Sequence, residues 1–144
     1  MAWKGHYRPN NPQKYDGDTT GIIYRSSLEL RFMQHLDSSP GVVQWQSEEF
    51  PIPYFDPSTN KFRRYFVDFK VVVKQGDKTL TQLIEIKPAK QCEPPKVPAK
   101  RTRRFITEML TYGTNIAKWK AAEEYCLDRG WKFKIITEKD LGMR

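Results

Sequence analysis

Residues 65–87 constrain the chain most. They read Tyr65-Phe66-Val67-Asp68-Phe69, a valine run, a polar turn through Gly76-Asp77, and then Leu83-Ile84-Glu85-Ile86-Lys87. Apolar residues recurring at period two, many of them β-branched or aromatic, predict two adjacent strands. The first is expected over 62–73 and the second over 80–87, joined through 74–78. Strands this apolar belong in a core, where a charge is costly unless it is paired or binds a metal. Yet Asp68 lies in the first strand and Glu85 and Lys87 in the second. Alternation puts Tyr65, Val67, Phe69, Val71 and Val73 on one face, and Asp68 with Phe66 on the other. Glu85 and Lys87 share a face with Leu83. If the pleats match, the three charged groups converge, and a slip of one residue separates them.

Two carboxylates beside a lysine suit a narrow range of chemistry. Their hard oxygens favour Mg²⁺ or Mn²⁺ over zinc. Magnesium keeps several waters and is held by one or two carboxylates plus substrate phosphate. The compact ammonium of Lys87 can hold an attacking water or stabilise a pentacovalent phosphate. A Glu-x-Lys on a strand is, taken alone, most often a surface ion pair. Other chemistries fit poorly. There is no glycine-rich phosphate loop, and no Ser or Cys nucleophile beside a plausible His base. His6 and His35 are too few for a histidine metal site. Cys92 and Cys126 form no Cys-x-x-Cys pair, which argues against zinc and a disulfide framework and fits a reducing compartment.

The remainder is read by whether it serves these charges. Residues 1–23 form a basic, aromatic arm with Trp3, Tyr7 and Tyr15, expected to drape over the core. Its Lys4, Arg8 and Lys14 are either solvated or DNA-contacting. Ser26-x-x-Glu29 matches a capping box, and Leu28, Phe32, Met33 and Leu36 supply the apolar stripe of a helix. Glu29 therefore has two readings, helix cap or third acid, and the cap is favoured on pattern. Short strand segments follow at 42–46 and 49–54, with prolines that point to an edge or bend, and then a turn at 56–60.

Residues 88–104 carry Pro88, Pro94, Pro95 and Pro98, and Lys90, Lys96, Lys100, Arg101, Arg103 and Arg104 against the single acid Glu93. This is expected to be an extended basic loop, either a solvated linker or a phosphate-contacting segment beside Lys87. Phe105, Ile106, Met109 and Leu110 predict a helix broken near Gly113. A second helix, capped by Thr114 or Asn115, turns Ile116, Trp119, Ala122 and Cys126 inward and ends at Gly130. Lys118 and Lys120 either face a ligand or are solvated on the helix surface, the second being the commoner case. A last strand over 131–136 leads to a short helix starting at 137–140. The order fits a single α/β domain with a mixed sheet flanked by helices. A net charge of +8 points to an anionic partner, with nucleic acid the commonest. No apolar run reaches membrane-spanning length and residues 1–6 lack a signal-peptide core, so a cytosolic protein is expected.

Val67-Asp68, Glu85-Ile86-Lys87 and the upstream Glu29 together resemble the PD-(D/E)XK nuclease superfamily. Val67 stands where the superfamily pattern has proline. The chain is most similar to the branch shared by TnsA-like transposon-end endonucleases and the head completion nucleases of tailed phages. Tyr24-Arg25-Ser26, Trp45-Gln46-Ser47-Glu48, Ile52-Pro53-Tyr54, Arg64-Tyr65 and Phe133-Lys134-Ile135-Ile136-Thr137-Glu138 carry that likeness. Trp3-Lys4-Gly5-His6-Tyr7-Arg8-Pro9 and Lys14-Tyr15-x-Gly17-Asp18 resemble the phage group.

The resemblance implies a small restriction-endonuclease-like core and a Mg²⁺-dependent DNA endonuclease. It implies catalytic roles for Glu29, Asp68, Glu85 and Lys87, and metal ligation by Asp68, Glu85, Ile86 and Glu29. The six cations of 88–104 would contact substrate. It further implies action in phage head completion after DNA packaging, in the host cytoplasm or in the virion, beside portal, neck or capsid proteins. Two readings of other classes stand beside it: a structural neck protein keeping the fold, and a basic DNA-binding module whose acids are salt-bridged.

Overall fold

A computed structural model describes residues 4–142. In chain order the elements are β1 (Gly5–His6), β2 (Ile23–Tyr24), α1 (Ser27–Ser38), β3 (Val42–Ser47), β4 (Pro51–Asp56), β5 (Lys61–Phe66), β6 (Phe69–Gln75), β7 (Lys78–Ile86), α2 (Arg103–Arg129) and β8 (Lys132–Ile136). Strands β3, β6, β7 and β8 form one sheet in that order. The β3/β6 and β6/β7 pairs are antiparallel, and β8 returns across α2 to lie parallel to β7. This is the expected α/β arrangement, a mixed sheet with a helix on each face. Strands β4 and β5 form a separate antiparallel ribbon, and β1 and β2 pair with each other.

Each sheet face has its own core. On one, Leu28, Phe32, Met33 and Leu36 of α1 pack with Trp45, Phe69, Val71 and Ile84. The arm completes this layer as expected, with Tyr7, Tyr15 and Ile22 buried in it; Trp3 lies outside the described residues. The Lys14 ammonium donates to the carbonyls of Leu36, Asp37 and Ser39 at 2.8–2.9 Å. A cation there satisfies orphan carbonyls and suits the negative end of the helix dipole. On the other face, Trp119, Ala122 and Cys126 of α2 pack with Leu83 and with Ile52, Tyr54 and Tyr65 of the ribbon.

The structure departs from expectation in three places. Residues 62–73 are not one strand: β5 ends at Phe66, β6 starts at Phe69, and the two belong to different sheets. At the bend, Val67 N–H donates to Phe50 O, and Asp68 O accepts from Glu48 N–H. The pleat reverses phase there. Tyr65 and Val67 pack against α2, whereas Phe69 and Val71 pack against α1. Apolar residues continue at 65, 67, 69 and 71 on both sides of the bend, so a period-two count runs through it unbroken.

The second departure is that α2 is one helix, with Gly113 inside it. An interior glycine costs about 1 kcal/mol relative to alanine, less than the burial of Trp119, Ala122 and Cys126 supplies. The helix starts at Arg103, its Thr102 cap accepting from Phe105 N–H, so Arg103 and Arg104 lie in its first turn and not in a loop. It ends at Gly130 in the left-handed region (φ 71°), as expected. Third, Thr137 and Asp140 close a turn where a helix was expected, with Thr137 N–H donating to the Asp140 carboxylate at 2.8 Å. The intervening segment has a short 3₁₀ turn at Ala89–Cys92 and is irregular up to Thr102. No helix among the described residues is long and apolar enough to cross a membrane.

Candidate active site

The β6/β7 register pairs Phe69 with Ile84, so the next residues out, Asp68 and Glu85, meet where the ladder ends. Asp68 sits at the bend, and its Oδ2 takes up the Ile86 N–H at 2.8 Å. Glu85 is buried. Its Oε1 accepts from the Tyr65 hydroxyl at 2.6 Å, and its Oε2 lies 3.8 Å from the Lys87 ammonium. The convergence expected of the hairpin is present, reached by a bend and not by an unbroken strand.

The electrostatics are unfavourable as they stand. Desolvation, then the charge of Glu85, push the Asp68 carboxyl well above the usual carboxylate range; the Glu29 charge adds to this and the Ile86 N–H offsets part of it. Burial, then Glu85, push the Tyr65 hydroxyl up, so it stays a donor. Placing two acids together in a desolvated corner costs free energy unless a cation joins them.

Glu29 takes the cap role. Ser26 Oγ accepts from Glu29 N–H at 3.1 Å, and Glu29 Oε2 accepts from Arg25 N–H at 3.1 Å and from the Ser26 hydroxyl at 3.3 Å. Burial raises its carboxyl, with the Arg25 N–H opposing. Its charge still reaches Asp68. The Arg25 guanidinium pairs with Glu48, whose own N–H holds the Asp68 carbonyl.

From Asp68, Glu85 and Lys87 a cleft of about 530 Å³ opens between the ribbon and α2, lined by Arg63, Arg64, Phe66 and Lys118. The Lys118 ammonium stands over the rings of Tyr54 and Tyr65, at 5.8 and 5.6 Å from their centroids. Arg63 Nε is held by Asp56 Oδ2 at 3.2 Å and Thr59 Oγ1 at 3.3 Å. None of Lys90, Lys96, Lys100, Arg101, Arg103 and Arg104 lines this cleft; all six are exposed, and Arg104 pairs with Glu108. The cleft's own arginines escaped sequence reasoning because they lie inside a strand pattern. Arg64 entered only as part of the Arg64-Tyr65 likeness, and Arg63 carried no signal.

The donor set fits a hard divalent cation. Among the described residues no three His, Cys, Asp or Glu side chains gather tightly enough to hold a metal by themselves. Two carboxylates with water and substrate phosphate is how magnesium is commonly held. Asp68 and Glu85 are the two carboxylates that could hold such an ion; Glu29 is engaged at the helix cap.

The TnsA-like endonuclease N-terminal family matches residues 39–138, a span that includes Asp68, Glu85 and Lys87 and leaves Glu29 outside. Over 145 aligned residues the chain is 42% identical to the head completion nuclease of Enterobacteria phage T4, covering 98% of this chain and 95% of that protein.

Proposed function

Since the chain belongs to the TnsA-like endonuclease family, we propose that it is a metal-dependent DNA endonuclease serving phage head completion after packaging. The carrying observation is the pair of desolvated carboxylates, Asp68 and Glu85, with Lys87 3.8 Å from the second, on the floor of a cationic cleft. A structural neck protein or a simple DNA-binding module gains nothing from two repelling acids in one corner.

Asp68 and Glu85 would hold Mg²⁺ or Mn²⁺, with the main-chain carbonyl of Ile86 as a further ligand. Such an ion supplies a more acidic bound water and neutralises charge on the phosphodiester. The protein's own residues do the rest. Tyr65 fixes the rotamer of Glu85 through its 2.6 Å hydrogen bond. Lys87 orients the attacking water or stabilises the phosphate as negative charge grows on it. Arg63, Arg64 and Lys118 take the flanking phosphates, a contact independent of sequence. Glu29 acts at long range, through its charge on Asp68.

Plasmid cleavage in Mg²⁺ or Mn²⁺ tests this. Wild type should nick or linearise DNA and stop in EDTA. Asp68→Ala and Lys87→Ala should lose more than about 100-fold, beyond what losing a residue behind a metal ligand costs. A wild type that never cuts, or variants that cut equally well, would sink the nuclease reading. If heads mature normally with Asp68→Ala in the phage, cleavage has no part in head completion.

A further inference from the structure

The β4–β5 ribbon has two unlike faces. Ile52, Tyr54, Asp56 and Tyr65 are buried on one. The other carries Phe55, Phe62 and Phe66, which remain 44%, 79% and 44% exposed. The register pairs Phe55 with Phe62, and their rings meet edge to face at 5.2 Å. Beside them the Arg64 guanidinium lies 5.5 Å from the centre of the Phe66 ring. Three exposed phenylalanines on one ribbon face call for an occupant.

We propose that this face stacks unpaired bases, so that the DNA cut here carries a single-stranded stretch beside the scissile bond. The inference rests on the endonuclease reading above and names its substrate class. Continuity carries it: Arg64 and Phe66 belong both to this face and to the cleft that holds Asp68 and Glu85, so a strand leaving the cleft runs directly onto the aromatic face. Charge agrees, since Arg64 shares this face with Phe62 and Phe66, and the chain carries a net charge of +8. Aromatic rings interleaved with cations suit a single strand, because every base offers a π-face while the cations track its phosphates. Strand addition by a protein partner along β4 is disfavoured, because Pro51 and Pro53 have no N–H to donate. The ribbon is also held in place. Asp56 accepts from Ser58, Thr59 and Thr114, tying its turn to α2.

Fluorescence anisotropy in EDTA, where nothing is cut, compares three probes: a short single strand, the same strand with abasic sites, and a blunt duplex. Wild type should prefer the intact single strand. The Phe55→Ala/Phe62→Ala double variant should lose about 5- to 100-fold on that strand. It should lose little on the abasic strand or the duplex, with an unchanged salt slope because no phosphate contact is removed. Phe62→Tyr, which keeps a stacking ring, should retain affinity and guards against a folding artefact. Equal wild-type affinity for intact and abasic strands overturns the proposal, as does an unaltered single-strand affinity in the double variant. Binding is read without metal, so the two readings fail separately. Stacking without cleavage in Mg²⁺ overturns the activity; cleavage without an effect of the ring deletions overturns only the stacking.

Discussion

Asp37 and Asp68 are both drawn out of water, and their surroundings treat them in opposite ways. Asp37 is buried at the end of α1 and accepts from the Tyr7 hydroxyl at 2.7 Å, Asn10 N–H at 2.7 Å and Asn11 N–H at 3.0 Å. Burial pushes its carboxyl up, but the Tyr7, Asn10 and Asn11 donors outweigh that and leave it below the usual range. Asp68 has the Ile86 N–H and faces Glu85, and desolvation drives it well above the usual range. A carboxylate surrounded by donors bolts the arm to the helix. One left beside another acid is held at a free-energy cost that a bound cation relieves.

The largest effect expected from this contrast is on activity. Asp68→Asn should lower cleavage by more than about 100-fold, yet leave metal-free stability unchanged or raised, because it removes a charge beside Glu85. Asp37→Asn should do the reverse. An amide nitrogen turned toward Tyr7 or the arm N–H groups leaves buried donors unmatched, at about 1–3 kcal/mol in denaturant unfolding. Activity per folded molecule should persist. If Asp68→Asn unfolds the protein and Asp37→Asn does not, the two acids have been assigned the wrong way round.

The pH dependence of stability separates them next. Asp37 has a lowered carboxyl, so its contribution is present above the unfolded-chain value of about 3.9 and is lost as pH falls through its folded value. Asp68 has a raised carboxyl, so its contribution is fully present below about 3.9 and is lost as pH rises through its folded value. Melting curves in EDTA should show both limbs. Asp37→Asn should flatten the acid limb, and Asp68→Asn the loss at higher pH. A single limb that neither variant alters would break the contrast.

Only one of these acids was legible in the sequence. Asp68 stood out because a charge interrupted a strand pattern, and Glu85-Ile86-Lys87 on the next strand gave it company. Asp37 carried no such signal, since its donors lie 26–30 residues upstream in an arm without periodicity. The mixed sheet and α1 were readable because period two and the capping box are local signals. The bend at Val67-Asp68 was not, because apolar residues keep their spacing across it while the faces exchange. The cations of the cleft were not legible either, because Lys118 is far in sequence from Arg63 and Arg64. Residues 88–104 are the most basic stretch to the eye, yet the cleft is lined by Arg63, Arg64 and Lys118, which topology brings together from a strand and a helix. Arg63→Ala/Lys118→Ala should therefore weaken DNA binding more, and flatten its salt dependence more, than Lys96→Ala/Lys100→Ala, each lost phosphate contact removing about 0.9 from the slope. Equal effects would return the loop to the substrate path.

The finest test uses two tyrosines. Tyr7 donates to Asp37 at 2.7 Å and Tyr65 donates to Glu85 at 2.6 Å, so the two hydrogen bonds are nearly alike in length. They differ in what else holds the acceptor. Asp37 keeps two backbone donors when Tyr7 is lost, and Tyr7→Phe should cost about 1 kcal/mol with cleavage unchanged. Glu85 keeps Lys87, 3.8 Å away on a flexible stem, which neutralises its charge without fixing its rotamer. Tyr65→Phe should therefore lower kcat about tenfold with KM little changed, the effect expected when a residue that orients a metal ligand is removed. Stability should move by less than it does in Tyr7→Phe, because Glu85 and Tyr65 line the cleft, from which water can reach the freed oxygen. If both variants lost stability alike and neither changed kcat, Tyr65 would be a core residue like Tyr7, and the orientation of Glu85 would have to come from the backbone of β7.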